Sequence, residues 1–412
     1  MRRLIDRCAG IDVGQALLMV CVRIVTEVDE VVEHIREFGA TTSDLLALRD
    51  WLAAFGVTHV AMESTGVYWK PVYYLLEDDF EVLLANAADL KHVAGRKTDA
   101  IDAAWIAELC SYGLLRPSFV PPRPIRELRD LTRYRKTLVQ DRTRAVNRVH
   151  KLLEDAGVKL ACVATDVMGV SGRLMMNALI QGVADPEALA QLAKGRLRAK
   201  LPELRKALEA RFRDHHAFLL ERMLAHIADA EDDIAALSER IEAAMAPFVT
   251  AVPLLCSIPG VGARTAEVII AEIGDDMSRF PTPGHLASWA GLCPGQRQSA
   301  GKRKSGKTRK GSKWLRGALI EAAWAAVRTK DTYLSERFRQ VTRRQGRKKA
   351  VVAVAHEILM AAWWLLSTGE FYQDPGVEAL RKHNVEQTRR RSVRQLEALG
   401  YTVTLHPPKA AA

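Results

Sequence analysis

The chain has few cysteines, and they are scattered along its length. Its 412 residues contain six cysteines, and no two of them form a Cys-x-x-Cys pair. This spacing argues against a zinc site built on such pairs and against the disulfide framework of a small secreted protein. Free thiols fit a reducing compartment, so we expect a cytoplasmic protein.

Long hydrophobic runs and a targeting segment are also lacking. The most apolar stretch, Val351 to Leu366, is too short to span a bilayer and contains His356 and Glu357. We interpret this stretch as a buried helix and expect no membrane partner. Near the N-terminus, Asp6 and Asp12 interrupt anything that resembles the apolar core of a signal peptide.

Acidic residues are fewer than basic ones. The chain has 49 Asp and Glu against 60 Lys and Arg, which gives a formal net charge of +11. A soluble protein this basic usually binds a polyanion. Because 48% of the residues are hydrophobic and 26% are charged, the chain can bury a core, and its length allows two or three domains.

The excess positive charge is concentrated in one segment. Residues 297–349 contain 18 Lys and Arg and three acids, a net charge of +15, so the rest of the chain is net −4. Trp314 and Leu319 are interleaved with the cations, which indicates a folded element that offers a surface to a phosphate backbone. The cations expected to bind nucleic acid are Lys302, Arg303, Lys304, Lys307, Arg309, Lys310 and Lys313.

Strand-like and helix-like patterns alternate in the first 115 residues. Three apolar runs are followed by alternating helical and apolar segments, an order typical of an RNase H-like α/β domain. The predicted strands are 8–13, 16–22, 31–38, 57–62 and 80–85, and the predicted helices are 41–55, 67–76 and 87–115. A proline-rich linker follows at 117–124, and the chain after it is expected to be wholly helical.

Four carboxylates stand out in this domain. Asp12 and Glu63 each lie at the end of an apolar strand, where a lone buried charge would cost several kcal/mol. Asp99 and Asp102 are three residues apart in a helical stretch and therefore share a helix face. Four oxygen donors from two strands and a helix predict a site for Mg²⁺ or Mn²⁺ that would act on a phosphodiester. Taken singly, each acid could instead be a turn residue, a helix cap or part of a solvated face.

A glycine-rich turn precedes an apolar helix in the C-terminal half. Ile258-Pro259-Gly260-Val261-Gly262 is typical of a helix-hairpin-helix element, in which the backbone N–H groups near Gly260 and Gly262 approach a phosphate. An ordinary glycine-rich turn is the alternative.

Apolar residues recur every seven positions between Leu220 and Phe248. The repeat predicts a coiled-coil seam and an oligomerisation helix. The alternative is a helix that packs within its own domain. The last forty residues are polar and rich in arginine, and we interpret them as a peripheral appendage.

A serine lies inside the basic segment, in Gln298-Ser299-Ala300-Gly301-Lys302. Its hydroxyl is a weak nucleophile alone, but beside a dense cationic field and a metal it could attack a phosphodiester. The residues themselves do not separate Ser299 from Ser305 or Ser312, and each could simply donate a hydrogen bond to a phosphate.

The motifs together resemble those of the DEDD-type insertion-sequence transposases, a group that includes the Piv/MooV-like DNA invertases and the bridge-RNA-guided recombinases. The resemblance covers roughly residues 8–156 and 252–330. The motifs that carry it are Gly10-Ile11-Asp12-Val13, Met62-Glu63-Ser64-Thr65-Gly66, Gly95-Arg96-Lys97-Thr98-Asp99 with Asp102, Ile258-Pro259-Gly260-Val261-Gly262 and Leu286-Ala287-Ser288-Trp289-Ala290-Gly291-Leu292.

The resemblance implies more than the residues do alone. It implies a RuvC-like N-terminal domain with Asp12, Glu63, Asp99 and Asp102 as its acidic tetrad, and a C-terminal transposase domain with Ser299 as the nucleophile. The chain has Ala300 where the family pattern has glycine. The implied partners are donor and target DNA, a structured guide RNA, and further copies of the chain in a dimer or tetramer. The protein would associate with the DNA at the nucleoid.

The expected organisation has four parts. They are a RuvC-like domain at 1–115, a helical linker and coiled coil at 116–250, a serine-bearing and mainly helical transposase domain at 251–372, and a basic tail at 373–412. Two other functions stay open at this point. One is a RuvC-like metal-dependent endonuclease or resolvase without a covalent intermediate, and the other is a non-catalytic nucleic-acid-binding protein, which the four acids disfavour.

Overall fold

The computed structural model describes residues 3–64, 66–86, 90, 98–295, 297–299 and 302–405, with the backbone alone for 297–299, 303–305 and 380–388. The chain divides into two compact units, Met1–Val120 and Pro121–Ala412.

A five-stranded mixed sheet forms the centre of the N-terminal unit. Strands β1 (Arg7–Val13), β2 (Leu17–Val25) and β3 (Val31–Gly39) form an antiparallel meander, and β4 (His59–Glu63) and β5 (Glu81–Ala85) add to the β1 edge in parallel. The strand order is β3-β2-β1-β4-β5. The parallel pairs place the carboxyl ends of β1, β4 and β5 at one edge of the sheet.

Three helices cover the sheet: α1 (Thr42–Ala54), α2 (Trp69–Leu76) and α3 (Asp99–Ser111). The side chains of β1 alternate between the two faces, as the strand period of two requires. Ile11 packs in a cluster with residues of α1 and α2, whereas Cys8 packs with Ile106 and Cys110 of α3. The unit therefore has three layers, with the sheet between α3 and the other two helices.

The predicted order of strands and helices in this unit is confirmed. The observed bounds differ from the predicted ones by at most three residues, except for the last helix. That helix was predicted from residue 87, and the part that the structure describes begins at Asp99, after the cap residue Thr98. Residues 87–89 and 91–97 of the prediction lie outside the described residues.

Helix α3 crosses β1 at Gly10. A Cβ atom at this position would lie 2.3 Å from the carbonyl oxygen of Ala103 and 2.3 Å from the nitrogen of Ala107. The Cys8 thiol donates to the carbonyl oxygen of Ala107 at 3.3 Å, so α3 runs antiparallel to β1. The N-terminal turn of α3 therefore lies toward the carboxyl end of β1.

The cysteines form no disulfide, since all six are described and all are free. The side-chain hydrogen bond with Cys110, together with burial, raises the pKa of Cys8 far above its usual value. Its thiol therefore stays protonated and packs as a small apolar group.

The C-terminal unit is mostly helical, as predicted. Its helices are α4 (Arg123–Asp155), α5 (Leu160–Val163), α6 (Val170–Ile180), α7 (Pro186–Gln191), α8 (Leu201–Leu208), α9 (Asp214–Ala244), α10 (Ala251–Cys256), α11 (Ala263–Ile273), α12 (Pro283–Trp289), α13 (Lys313–Ala326), α14 (Tyr333–Gln345), α15 (Arg347–Thr368) and α16 (Gly376–Ala398).

The long helices α4 and α9 pack against each other in antiparallel fashion. Leu220 and Ile227 of α9 are fully buried in one cluster with Val149 and Leu153 of α4. Several positions of the predicted coiled-coil seam are thus covered inside the chain, which is the alternative that the sequence left open. The seam needs no second copy to be buried, and an oligomerisation role for α9 stays a prediction.

Helix α15 contains the most apolar stretch of the sequence. The helix extends beyond this stretch to 22 residues, so the expectation that it is too short to span a bilayer is wrong. Length and composition alone are weak evidence for a membrane span, because the core helix of a soluble protein passes the same test. Its buried face, including Val354 and Ile358, packs against α12, α13 and α14. The predicted buried helix is therefore confirmed, and it forms the centre of this part of the unit.

The expectation that the chain is wholly helical after the proline-rich linker is wrong at one place. Strands β6 (Arg297–Ser299) and β7 (Lys302–Ser305) form an antiparallel hairpin. Its strands are short and rich in Lys, Arg and Ser, so they lack the apolar alternation by which a strand is recognised in a sequence.

We predict that Gly10→Val destabilises the N-terminal unit by about 1–3 kcal/mol, because the neighbouring atoms are backbone and cannot rotate away. The midpoint of urea unfolding measures the loss. Gly284→Ala is the control, since a Cβ there meets only the Thr282 hydroxyl at 3.6 Å. Equal midpoints for Gly10→Val and the wild type would contradict the close approach of α3.

Candidate functional site

Two predicted carboxylates lie side by side at the carboxyl edge of the sheet. Ile11 and Met62 are paired across the parallel strands β1 and β4, so Asp12 and Glu63 are the next residues of the two strands. Ile11 and Met62 both face α1 and α2. By strand alternation, Asp12 and Glu63 belong to the opposite face, which α3 covers.

The other two predicted carboxylates are in the first turn of α3. Thr98 caps this helix, and its hydroxyl accepts a hydrogen bond from the N–H of Ile101 at 3.4 Å. Asp102 directly precedes Ala103, whose carbonyl oxygen lies against Gly10 of β1. Since Gly10 and Asp12 share a strand face, the first turn of α3 lies at the sheet edge that carries Asp12 and Glu63.

None of these four acids is fully buried, as expected for side chains that bind ions and not for side chains in a hydrophobic core. Asp12, Glu63 and Asp102 are half-buried, and Asp99 is exposed. Asp12, Glu63 and Asp102 all interact with other groups of the chain. The donor set consists of carboxylate oxygens alone, which are the ligands of hard divalent cations such as Mg²⁺ and Mn²⁺. The residues present therefore fit a divalent metal.

A second group of possible metal ligands lies in the C-terminal unit. One ligand atom each of Asp155, His215 and His216 lies within 4.8 Å of the others. The Nδ1 atom of His216 accepts a hydrogen bond from the N–H of Arg213, and its Nε2 lies 3.2 Å from Asp155. A neutral imidazole with Nδ1 as acceptor carries its proton on Nε2. The ring thus caps α9 and donates to Asp155, and Nε2 has no lone pair left for a metal.

Ser299 lies in the hairpin of the C-terminal unit. It is the last residue of β6, and its Cα is paired with that of Lys302 on β7. Arg297 and Ser305 are paired at the other end of the same ladder. The side chain of Ser299 lies outside the described residues, as do Ala300 and Gly301.

The base of the hairpin is fixed by close backbone contacts. Gly291 has a positive φ of 68°, and a Cβ there would lie 2.7 Å from the carbonyl oxygen of Arg309. A Cβ at Gly311 would lie 2.3 Å from the carbonyl oxygen of Ala290. The N–H of Gly295 donates to Lys307 at 3.1 Å. The chain segments before and after the hairpin, residues 290–295 and 307–311, are thus held together at the end of the hairpin opposite Ser299.

The predicted nucleic-acid-binding cations are exposed wherever the structure describes their side chains. The exposed ones are Lys302, Lys307, Arg309, Lys310 and Lys313. The side chains of Arg303 and Lys304 lie outside the described residues. Five cations on and beside one hairpin offer a surface to a polyanion.

The two glycines of the predicted helix-hairpin-helix turn differ in their surroundings. Gly260 has a φ of 86°, and a Cβ there would lie 2.3 Å from the carbonyl oxygen of Ala322 in α13. Gly262 is exposed at the start of α11, with no described atom within 4 Å of the place of a Cβ. Packing accounts for the first glycine, and only the second leaves backbone N–H groups open to a phosphate.

The buried carboxylate of Glu272 was missed by sequence reasoning. Its side chain is 1% exposed and accepts hydrogen bonds from Arg133 at 2.7 and 2.8 Å and from the Ser312 hydroxyl at 2.9 Å. Ser312 also caps α13 by accepting from the N–H of Leu315 at 3.2 Å. The network joins α4, α11 and the start of α13, directly after the basic hairpin. An acid inside an apolar helical run was the only signal in the sequence.

Several cations of α4 form ion pairs with other helices of the unit. Arg135 is buried and forms an ion pair with Glu267, Lys136 pairs with Glu321 at 2.7 Å, and Arg142 pairs with Glu231 at 2.6 Å. Together with the Arg133 pair, these contacts neutralise much of the charge of α4. These four cations of α4 are therefore engaged within the unit.

Comparison with known proteins places both regions in one family. Residues 9–157 match a family model described as Transposase, of the DEDD type found in the IS110 group. Residues 252–339 match a model described as Transposase, IS116/IS110/IS902 family. The two matches together cover more than half of the 412 residues. The chain belongs to the IS110 family of DEDD transposases.

Individual relatives of this IS110-family protein are proteins of insertion sequences, and two of them are named transposases. It is 28% identical over 288 residues to the transposase for insertion sequence element IS1111A of Coxiella burnetii, which covers 68% of this chain and 70% of that protein. It is 26% identical over 338 residues to the transposase for IS1328 of Yersinia enterocolitica, covering 79% and 89%. A 43.6 kDa protein of insertion element IS110 from Streptomyces coelicolor is 29% identical over 300 residues, covering 67% and 72%.

Membership of the IS110 family fixes the coarse function. The chain is a DNA transposase of an insertion sequence, and DNA is its substrate. A DEDD transposase is expected to need a divalent metal, and the carboxylate group of the N-terminal unit has the chemistry to hold one.

We predict that Glu272→Gln lowers the free energy of unfolding of the C-terminal unit by about 3–5 kcal/mol, because Arg133 is left without its buried anion. Urea unfolding followed by tryptophan fluorescence measures the change. Glu321→Gln is the matched control, since Glu321 is 66% exposed and its loss should cost about 1 kcal/mol or less. Similar losses in both variants would contradict the role given to Glu272.

Proposed function

We propose that this transposase is a site-specific recombinase whose N-terminal unit is RuvC-like and whose acidic tetrad holds divalent metal. One observation carries the proposal. Asp12 and Glu63 end adjacent parallel strands on the face covered by α3, and the first turn of α3 bears Asp99 and Asp102. The strand order β3-β2-β1-β4-β5, with β2 antiparallel to its neighbours, supports the RNase H-like assignment.

The four acids would divide their work by position. Asp12 and Glu63 lie on adjacent strands of the sheet, whereas Asp99 and Asp102 lie in the first turn of α3. A bound Mg²⁺ or Mn²⁺ would neutralise charge on a scissile phosphate and on the leaving oxygen. The carboxylates would hold the metal ion at the sheet edge and leave coordination positions for the oxygens of the substrate.

We propose Ser299 as the nucleophile. Its Oγ would attack the phosphorus of a phosphodiester, so that an Oγ–P bond forms and the bond from phosphorus to one deoxyribose oxygen breaks. The hydroxyl proton would pass to solvent or a nearby base, and the released oxygen would leave as a hydroxyl after taking up a proton. The covalent link conserves the energy of the phosphodiester, so a second strand can reverse the step and complete the exchange.

The basic hairpin supports this assignment because it supplies charge at the proposed nucleophile. Lys302 is paired with Ser299 across the hairpin, and Lys307, Arg309 and Lys310 continue the exposed surface. Arg303, Lys304 and Lys313 complete the proposed phosphate-backbone surface, with Gly262 at the start of α11 and Gly260 shaping the turn before it.

The proposed partners go beyond DNA. The family resemblance supports a structured guide RNA that selects donor and target DNA, and a dimer or tetramer in which the carboxylates and Ser299 act on the same strand. We propose that the protein acts in the cytoplasm, at the nucleoid. Strong positive charge on one segment fits two polyanions bound together.

Covalent trapping tests the nucleophile. Incubation with DNA from the ends of the element, followed by denaturation, should give a DNA–protein adduct in the wild type and at least about 100-fold less in Ser299→Ala, since no other group replaces the attacking oxygen. Ser305→Ala is the matched control on the same hairpin and should retain the adduct. Metal-dependent cleavage without any adduct in the wild type would instead establish the RuvC-like endonuclease or resolvase.

Carboxylate substitutions test the metal site. Asp12→Asn and Asp102→Asn should each lower strand cleavage by about 100-fold or more, because a charge that stabilises the transition state is lost. Asp50→Asn on α1 is the control, since Asp50 is exposed and pairs with its neighbour Arg49. Cleavage at wild-type rates in Asp12→Asn and Asp102→Asn would refute the tetrad.

A further inference from the structure

A cavity of about 530 Å³ lies in the C-terminal unit between α4, α11 and α13. It is separate from the hairpin strands that carry Ser299, although Lys313 of its wall also belongs to the proposed phosphate-backbone surface. Its walls combine apolar groups with cations. The lining residues that matter for its chemistry are Val139, Arg264, Val268, Lys313, Trp314, Gly317 and Ala318.

Gly317 shows that the chain itself does not need the open space. A glycine inside a helix is destabilising relative to alanine, and Gly317 lies in the interior of α13. No described atom comes within 4 Å of the place of a Cβ at Gly317, so packing does not require glycine there. It also lacks a positive φ. A side chain at this position would extend into the cavity, and its absence keeps the cavity open.

The charge of the cavity is positive after internal pairing. Arg133, Arg135 and Lys136 are each matched by a glutamate. Arg264 and Lys313 form no ion pair with the described residues. Among the residues that the structure describes, the Arg264 guanidinium donates to the Ser238 hydroxyl alone, at 3.4 Å, and the Lys313 ammonium lies 4.8 Å from the centroid of the Trp314 ring. Two cations are thus available to an incoming anion.

The apolar wall of the cavity is formed by residues of all three helices. Val139 and Val268 come from two different helices, and Ala318 and Gly317 present small groups from the third. A ligand that fills this space needs an apolar, planar body for the wall and an anionic group for Arg264 and Lys313. A nucleoside monophosphate has both, and aromatic or apolar contacts with its base are favourable for any base.

We propose that this cavity binds a single nucleoside monophosphate unit, with the base against the apolar wall and the phosphate at Arg264 and Lys313. The unit is either turned out of a nucleic-acid strand or free in solution. In its first form the inference rests on the proposed function, because the strand would be one that the basic surface binds. A strand held at this point would be fixed in register relative to the hairpin.

Binding of small probes to the full chain tests the cavity directly. Calorimetric titration should show that deoxyadenosine monophosphate binds the wild type about tenfold or more tightly than deoxyadenosine or inorganic phosphate. The double variant Arg264→Gln/Lys313→Gln should bind the monophosphate no better than the nucleoside. Equal affinity of the wild type for all three probes would overturn the proposal.

A graded series at residue 317 provides the decisive variants. Affinity for the monophosphate should fall in the order Gly317→Ala, Gly317→Leu, Gly317→Trp, with about a tenfold loss or more by the last. The control is Ala325→Trp, which adds the same group to an exposed position of the same helix. Gly317→Ala should fold at least as well as the wild type, so a loss of binding in that variant is not a loss of folding.

A strand arm separates the two sources of the nucleotide. Single-stranded DNA and RNA oligomers with bases are compared with abasic oligomers of equal length and charge, by fluorescence anisotropy. If the preference for bases shrinks in Gly317→Trp and not in Ala325→Trp, the cavity takes a nucleotide from that strand. If only monophosphate binding is affected, the ligand is free nucleotide.

If neither readout responds to Gly317→Trp, the inference is wrong. A change of oligomer size in Gly317→Trp without any effect on nucleotides would assign the cavity to a second copy of the chain and equally overturn it. The proposed recombinase is judged separately by the Ser299 adduct, so its failure and the failure of the cavity proposal are distinguishable.

Discussion

Helix α3 can cross the sheet at close range only because residue 10 of β1 has no side chain. The approach of Ala103 and Ala107 to Gly10 fixes where the first turn of α3 lies. That turn carries Asp99 and Asp102, and the sheet carries Asp12 and Glu63 on the same face. The candidate metal site therefore depends on a backbone contact made by residues that bear no charge. The acids are the residues by which the candidate site is recognised in the sequence, and the packing of α3 on Gly10 is what brings its first turn to the sheet edge.

The C-terminal unit uses a buried charge for a similar purpose. Glu272 accepts bonds from Arg133 and Ser312, so helices α4, α11 and α13 meet at one carboxylate. A buried carboxylate is tolerable only when it is fully paired, which makes this junction specific about its geometry. Ser312 follows the hairpin as the cap of α13, and the backbone contacts of Gly291 and Gly311 hold the hairpin's base. The position of Ser299 is thus set by contacts that involve no catalytic group.

Local patterns predicted much of the fold because apolar periodicity reports which face of an element is buried. The order of elements in the N-terminal unit and the buried helix α15 followed from it. The hairpin β6–β7 did not, since its residues are polar and its base is held by backbone contacts of Gly291 and Gly311, which apolar periodicity does not report. The Glu272 network joins residues 139 positions apart along the chain, a separation that no local pattern reports. Gly260 fitted a phosphate-binding motif, yet its contact with Ala322 gives it a packing role that the motif conceals.

We propose that the divalent metal is held by the carboxylates of the N-terminal unit and not by the Asp155, His215 and His216 group. Titration of the full chain with Mn²⁺, followed by electron paramagnetic resonance, distinguishes the two groups, because bound and free Mn²⁺ are counted separately. We expect Mn²⁺ binding to be lost or greatly weakened when Asp12 and Glu63 are replaced by Asn and Gln, and to be unchanged in His216→Gln. Loss of binding in His216→Gln with full binding in the carboxylate variant would show that this assignment is wrong.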